Sequence, residues 1–208
     1  MPHDDIINKL SEIFTKFPGV GPKQARRFVY FLLSQQQGSL NNLAQLIGEI
    51  KKDIHQCELC TRFFILNRGR SALCELCSDQ TRDNSTLMIV EKDIDLNNIH
   101  KLGVYNGQYA VLGGLLPILE KNPSSRIRQD ALINNVKQKN KTKTLKEIII
   151  AISVTREGDN TADYLKQLLK PYEDQGVRVT LLGRGLSSGT EIEYTDSDTI
   201  KNALLNRH

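Results

Sequence analysis

A multidomain chain of mixed α+β and α/β class is predicted by three features of the sequence. Apolar residues recur at helical spacing from Ile6 to Ile54, two Cys-x-x-Cys pairs follow, and beyond them short apolar runs alternate with polar helical stretches. The parts expected are a helical region over residues 1–54, a small four-cysteine module over 55–80, a parallel-sheet α/β domain over 81–175, and a strand and helix region over 176–208.

The first element carries Ile6, Ile7, Leu10, Ile13, Phe14 and Phe17 on one stripe of an amphipathic helix. Pro18-Gly19-Val20-Gly21 cannot continue it, whereas Pro22 suits the first position of a new helix bearing Ala25, Phe28, Val29 and Leu32 on one face. Ser39 is expected to cap a third helix, with Leu40, Leu43, Leu46, Ile47, Ile50 and Ile54 turned inward. Strands are expected at Leu87–Val90, Tyr109–Leu112, Ile148–Ile152 and Val177–Leu182. From Lys121 to Lys146 eight basic residues stand against Asp130 alone; the stretch reads as a helix and an exposed basic connection, either a solvated face or a DNA contact.

The hairpin between the first two helices has the make-up of a phosphate site. Gly19 and Gly21 admit positive backbone angles and close approach, and the amides opening the next helix add its dipole at the same place. Lys23 and Arg27 lie four apart, hence on one face, with Arg26 beside them. Such a site grips sugar-phosphate without reading bases. A plain turn joining packed helices is the bland alternative; against it, the run from Phe17 to Arg27 resembles a helix-hairpin-helix DNA-binding motif in spacing and residue type.

Cys57-Glu-Leu-Cys60 and Cys74-Glu-Leu-Cys77 are separated by thirteen residues, the spacing of a zinc ribbon or treble-clef-like site that gathers four thiolates. Four protein ligands leave no open coordination position, so a single structural Zn2+ per chain is expected, stapling a segment too small for a core of its own. Redox cysteines are the competing reading, and iron suits the same thiolates. Arg62, Arg68 and Arg70 between the pairs either touch DNA or keep an exposed loop soluble.

In the sheet domain, Glu91 ends a strand where open parallel sheets place their sites, and Asp95 follows one turn later. A magnesium-dependent phosphoryl-transfer site needs further carboxylates, and the Asp-x-Asp pair expected after a neighbouring strand is missing. Glu157 and Asp159 lie beyond Arg156, which opposes a cation; they also suit the first turn of a helix. No catalytic residue is assigned. The run from Gly183 to Thr190 lacks a nucleotide-binding lysine, so Ile192 to Asp196, although Walker-B-like, is not expected to serve ATP hydrolysis.

The 208 residues carry 39% hydrophobic content, enough for a core, and a net charge of +4 that is compatible with phosphate contact but decides little. No apolar run is long enough to span a bilayer, and the first residues do not read as a signal peptide, so a cytoplasmic, nucleoid-associated protein is expected.

Taken in order, the hairpin, the two cysteine pairs, Ile89-Val90-Glu91 with Asp95, Tyr105 to Tyr109 leading to Val111-Leu112-Gly113-Gly114, Thr155 to Ala162, and Gly185-Leu186 to Glu193-Tyr194 with Asp196 and Thr199 resemble the RecR family over nearly the whole chain. The resemblance implies a Toprim fold, RecA loading on single-stranded or gapped DNA, partnership with RecO and RecF, and a homotetrameric ring, a dimer of dimers, around DNA. It places Lys23 and Arg27 among DNA-contacting positions, and Glu91, Asp95 and Glu157 on a partner-binding Toprim surface. Departures from the family pattern fall at His100, Ala110, Ser187-Ser188 and the turn Glu120 to Pro123. Two other classes stay open on the sequence alone: a Toprim metal-dependent nuclease or topoisomerase-like enzyme, and a zinc-stabilised protein-interaction module without DNA contact.

Overall fold

A computed structural model describes residues 2–65 and 72–183, with side chains from Asp5 onward. Arg68, Arg70, Ser187-Ser188 and the Walker-B-like run to Asp196 lie outside the described residues. Two compact units, Met1–Asp53 and Ile54–His208, make up the chain.

The first unit holds helices α1 (Pro2–Phe14), α2 (Pro22–Leu33) and α3 (Gln37–Asp53). Helix α1 ends three residues before the end of its apolar stripe, because the amides of Lys16 and Phe17 turn back onto Ile13 and Phe14 carbonyls. Phe17 still packs, its ring edge-on to Phe14 at 5.6 Å. Gly19 takes φ +75, the left-handed conformation that a side chain disfavours, and thereby reverses the chain. Pro22 opens α2, which buries Ala25 and Val29 and sets Phe28 edge-on to Phe14 at 5.9 Å.

Helix α3 corrects two expectations. Gln36 supplies the capping carbonyl, accepting from Ser39 and Leu40, so Ser39 is already inside the helix and does not cap it. Nor is the apolar face inward: Leu43, Leu46, Ile47 and Ile50 are exposed, and no α3 residue is buried. Periodicity shows that a face is apolar without saying what covers it.

In the second unit, β1 (Ile54–Gln56) pairs antiparallel with β2 (Phe63–Ile65), so that Ile54 starts a strand instead of closing the third helix. The short α4 (Glu75–Ser78) follows. Then β3 (Asp83–Val90), α5 (Asp93–Leu102), β4 (Gly107–Val111), α6 (Gln129–Lys141), β5 (Glu147–Ala151), α7 (Arg156–Glu173) and β6 (Arg178–Leu181) wind a four-stranded sheet of order β4-β3-β5-β6. All of its pairs are parallel, as the alternation of runs predicts.

Because successive side chains of a strand face opposite ways, β3 splits between two cores. Leu87 and Ile89 join Ile148, Ile150, Leu132, Val136, Leu165 and Leu169 under α6 and α7. Met88 and Val90 join Tyr109, Val111, Leu96 and the cysteines Cys57, Cys60 and Cys74 on the other face. The cysteine module is thus part of the sheet's packing. The chain leaves β3 toward β4, then returns past it to β5, which opens a crevice at the carboxyl ends of β3 and β5.

Candidate metal centre, acidic cleft and nucleic-acid interface

The two cysteine pairs converge. Sγ atoms of Cys57, Cys60, Cys74 and Cys77 all lie within 4.8 Å of one another, with Cys60 and Cys74 at 3.5 Å. Thiolates arranged tetrahedrally at about 2.3 Å around zinc stand about 3.8 Å apart, so this donor set fits such an ion. None of the four is in a disulfide, and three are buried. Hydrogen bonds among the sulfurs, led by that from Cys60, hold Cys57 well below the ordinary thiol range, whereas the bond to Cys57 pushes Cys60 well above it. A metal bound there would displace the protons these thiols carry.

The knuckle geometry follows from local bonds. The Cys57 amide donates to the Arg62 carbonyl at 2.9 Å and the Thr61 amide to the Cys57 carbonyl at 3.0 Å, closing a turn around the first pair. Thr61 adopts φ 61, and its buried hydroxyl reaches the carbonyls of Cys60 and Val111 at 2.7 and 2.6 Å. In the second pair, Cys74 caps α4, and its amide donates to the Cys57 sulfur at 3.4 Å. The sheet edge holds the module in place, the Val111 amide donating to the Cys60 carbonyl at 2.8 Å.

Arg62 belongs to neither role considered for it. Its guanidinium pairs with Glu75 at 2.8 Å and is largely covered, tying the two knuckles together. The basic segment divides likewise: Arg126 pairs with Glu120, Arg128 bonds the Thr61 carbonyl and stacks over Phe63, and Lys139 is half-buried. Lys137, Lys141, Lys143 and Lys146 remain on the surface.

Glu91, Asp95 and Glu157, distant in sequence, line one cleft of about 660 Å³ at the carboxyl ends of β3 and β5, together with Lys92, Ser153 and Arg156. Glu91 is 7% exposed, pairs with the Lys92 ammonium at 2.6 Å and accepts from the Ser153 hydroxyl at 2.8 Å. Burial raises its pKa, but Lys92 and Ser153 together outweigh burial and hold the carboxyl below its usual range. Asp95 accepts from the Lys92 amide at 2.9 Å, completing the capping box of α5. Glu157 is exposed in the first turn of α7, as the helix-dipole reading of that acid anticipates. Among the described residues, the cysteines are the only group of three or more such ligands close enough to share an ion.

Sequence reasoning misses two residues of the cleft. Lys92 is adjacent to Glu91 and is legible as a partner, but Ser153 meets Glu91 only through the pairing of β3 with β5. From the run Thr155 to Ala162, Thr155, Arg156 and Glu157 line the cleft. The Thr155 hydroxyl caps α7 by accepting from the Gly158 amide at 3.0 Å, and the buried Thr161 accepts from the Leu116 amide at 2.8 Å. A Cβ at Gly158 would stand 1.9 Å from the Ser153 carbonyl oxygen, which explains that glycine. Of the departures, Ala110 is buried in β4, and His100 is exposed in the last turn of α5.

At the hairpin, Gly21 is the N-cap of α2 with φ −84 and no side chain to bond the helix amides. Only Gly19 of the two glycines uses a positive angle. Pro22 has no N–H, so the outward donors of this turn are the amides of Lys23 and Gln24. Lys23, Arg26 and Arg27 are all exposed, no acid lies in the first turn of α2, and none of the three forms an ion pair among the described residues.

Family models match three consecutive stretches: "RecR, helix-hairpin-helix" over residues 7–51, "Toprim domain" over 85–183 and "RecR, C-terminal" over 185–208. The chain is 34% identical over 201 residues to Recombination protein RecR of Lactobacillus acidophilus, covering 97% of this chain and 96% of that one. The chain belongs to the RecR family. Its likeness to the RecR of Phytoplasma mali is 36% over 210 residues, covering 100% of this chain and 97% of the relative. RecR of Limosilactobacillus reuteri is 36% identical over 202 residues, with 97% and 95% covered. The RecR family accounts for the three-part sequence: a helix-hairpin-helix unit, a four-cysteine cluster and a Toprim-like parallel sheet. It places the chain among proteins of DNA repair and recombination. No described helix is long and apolar enough to cross a membrane.

Proposed function

We propose that this chain is a non-catalytic mediator that binds single-stranded, gapped or double-stranded DNA without sequence preference. Acting with RecO and RecF, it promotes RecA loading in the cytoplasm, at the nucleoid. The observation that carries the reading is the exposed cluster of Lys23, Arg26 and Arg27 beside Gly19 and Gly21, without an ion pair among the described residues, at the amino end of a helix whose first turn holds no acid. Phosphates bind such a place through amides, dipole and side-chain charge together, and no base need be read.

The remaining assignments follow the same logic. One structural Zn2+ is held by Cys57, Cys60, Cys74 and Cys77, because four convergent sulfurs, three of them on buried residues, supply a closed tetrahedral shell. The module of residues 55–80, the Toprim domain of 81–175 and the segment 176–208 act as parts of one subunit in a homotetrameric ring, a dimer of dimers. Exposed Leu43, Leu46, Ile47 and Ile50 on α3 support self-association, since contiguous apolar surface of this kind marks interfaces. Glu91, Asp95 and Glu157 offer negative charge to a basic partner. In the enzymatic reading these acids would instead hold magnesium; the Lys92 ammonium on Glu91 and the nearby Arg156 oppose that use.

Gel shifts of gapped duplex test the proposal. Replacing both Lys23→Ala and Arg27→Ala should weaken binding and lower the slope of log K against log salt by up to about 1.8, or about 0.9 for each phosphate that is no longer neutralised. Unchanged affinity and slope would overturn the hairpin assignment, and nicking of supercoiled DNA that needs magnesium and is abolished in Glu91→Gln would overturn the non-catalytic one.

A further inference from the structure

Helix α6 lies against the cysteine module with one face. Arg128 stands at the N-cap of α6, and Leu132 and Asn135 follow at spacings of four and three. Leu132 is buried in the sheet core, and Arg128 and Asn135 reach the module. Arg128 donates to the Thr61 carbonyl at 2.7 Å, directly after Cys60. Asn135, only 3% exposed, donates to the Leu59 carbonyl at 2.8 Å, inside the first Cys-x-x-Cys pair. Its amide oxygen is buried and finds no hydrogen-bond donor among the described residues, an unfavourable arrangement.

A zinc ion and four thiolates carry a net charge of minus two, which burial makes costly unless cations or hydrogen-bond donors stand nearby. We propose that α6 controls metal retention by the cysteine quartet: Arg128 at its N-cap and Asn135 along it fix the carbonyls of the first knuckle. Both are positioning residues and contribute no metal–ligand bond. The inference rests on the zinc reading given above and adds the residues outside the ligand set that decide how long the metal stays.

The test measures the rate of zinc release from the purified full-length protein into excess chelator, followed with a chromophoric zinc indicator. Arg128→Met keeps an unbranched stem and removes the donors; Arg128→Lys keeps a cationic donor. Arg128→Met and Asn135→Leu should each release zinc about 10- to 100-fold faster than the unmodified chain, the range found when partners of metal ligands are removed, with Arg128→Lys close to unmodified. Circular dichroism of each variant before chelation checks that α6 is intact; should Asn135→Leu fail to fold, the Arg128 pair decides alone. Equal release from Arg128→Met, Arg128→Lys and the unmodified chain overturns the inference with the zinc assignment intact. An unmodified chain purified from zinc-supplied cells with no stoichiometric zinc overturns both.

Discussion

Ser153 donates its hydroxyl to Oε2 of Glu91 at 2.8 Å, joining the carboxyl ends of β5 and β3 across the crevice where the sheet's winding reverses. With the Lys92 ammonium at 2.6 Å on the other oxygen, this bond keeps a nearly buried carboxylate ionised.

A pH dependence follows, and its sign is set by the depressed pKa. Since the folded-state value of Glu91 lies below the unfolded one, its contribution to stability is present above the unfolded pKa and is lost as pH falls through the folded value. Denaturation followed from neutral to acid pH should show the difference between the unmodified chain and Glu91→Gln shrinking over that window. A difference that grows on acidification would contradict the arrangement.

Gly158→Ala should destabilise the sheet domain, because the added Cβ meets the Ser153 backbone oxygen at 1.9 Å and a carbonyl cannot swing aside as a flexible side chain does. The expected cost is at or above the upper end of the about 1–3 kcal/mol typical of overpacking, read as a lowered urea midpoint. Gly21→Ala meets nothing within 4 Å and has ordinary backbone angles, so it should leave the midpoint nearly unchanged.

Thr61 separates backbone strain from hydrogen bonding. Its left-handed angle costs a non-glycine residue about 1–2 kcal/mol, while its hydroxyl serves buried carbonyls. Thr61→Val keeps the strain and removes the donor, adding about 1–3 kcal/mol for the abandoned carbonyl. Thr61→Gly removes both and should be the milder change, so thermal melts should rank unmodified or Gly above Val.

Chelation of the metal should loosen the module while the sheet holds. In hydrogen exchange, the Val111 amide, bonded to the Cys60 carbonyl, should lose protection, whereas the Leu112 amide, bonded to the Val90 carbonyl within the sheet, should keep it. Equal loss at both would mean that the cysteine module supports the whole sheet.

Much of this architecture is readable because its signals are local. A proline after a glycine-rich break starts α2 at Pro22, strand runs fall within one or two residues of β4 to β6 and match the end of β3, which starts four residues earlier than its apolar run, and the cysteine spacing anticipates the quartet. The errors are also local in origin: Ser39 has the composition of a cap, but Gln36 supplies the capping carbonyl. Arg62 resembles a free surface cation in its own stretch of chain, and only Glu75, thirteen positions later, neutralises it.

By itself the sequence determined the paired helices of the hairpin, the strands of the parallel sheet, which four sulfurs gather and which family the chain joins, since periodicity, turn chemistry and motif spacing act over short stretches. Only the tertiary structure decided that β3 lies between β4 and β5, that Glu91 finds Ser153, and that Arg128 and Asn135 of the α6 segment reach the first cysteine pair. Those contacts arise when chain crossovers bring distant residues together, and no local pattern encodes which strand will become the neighbour of another.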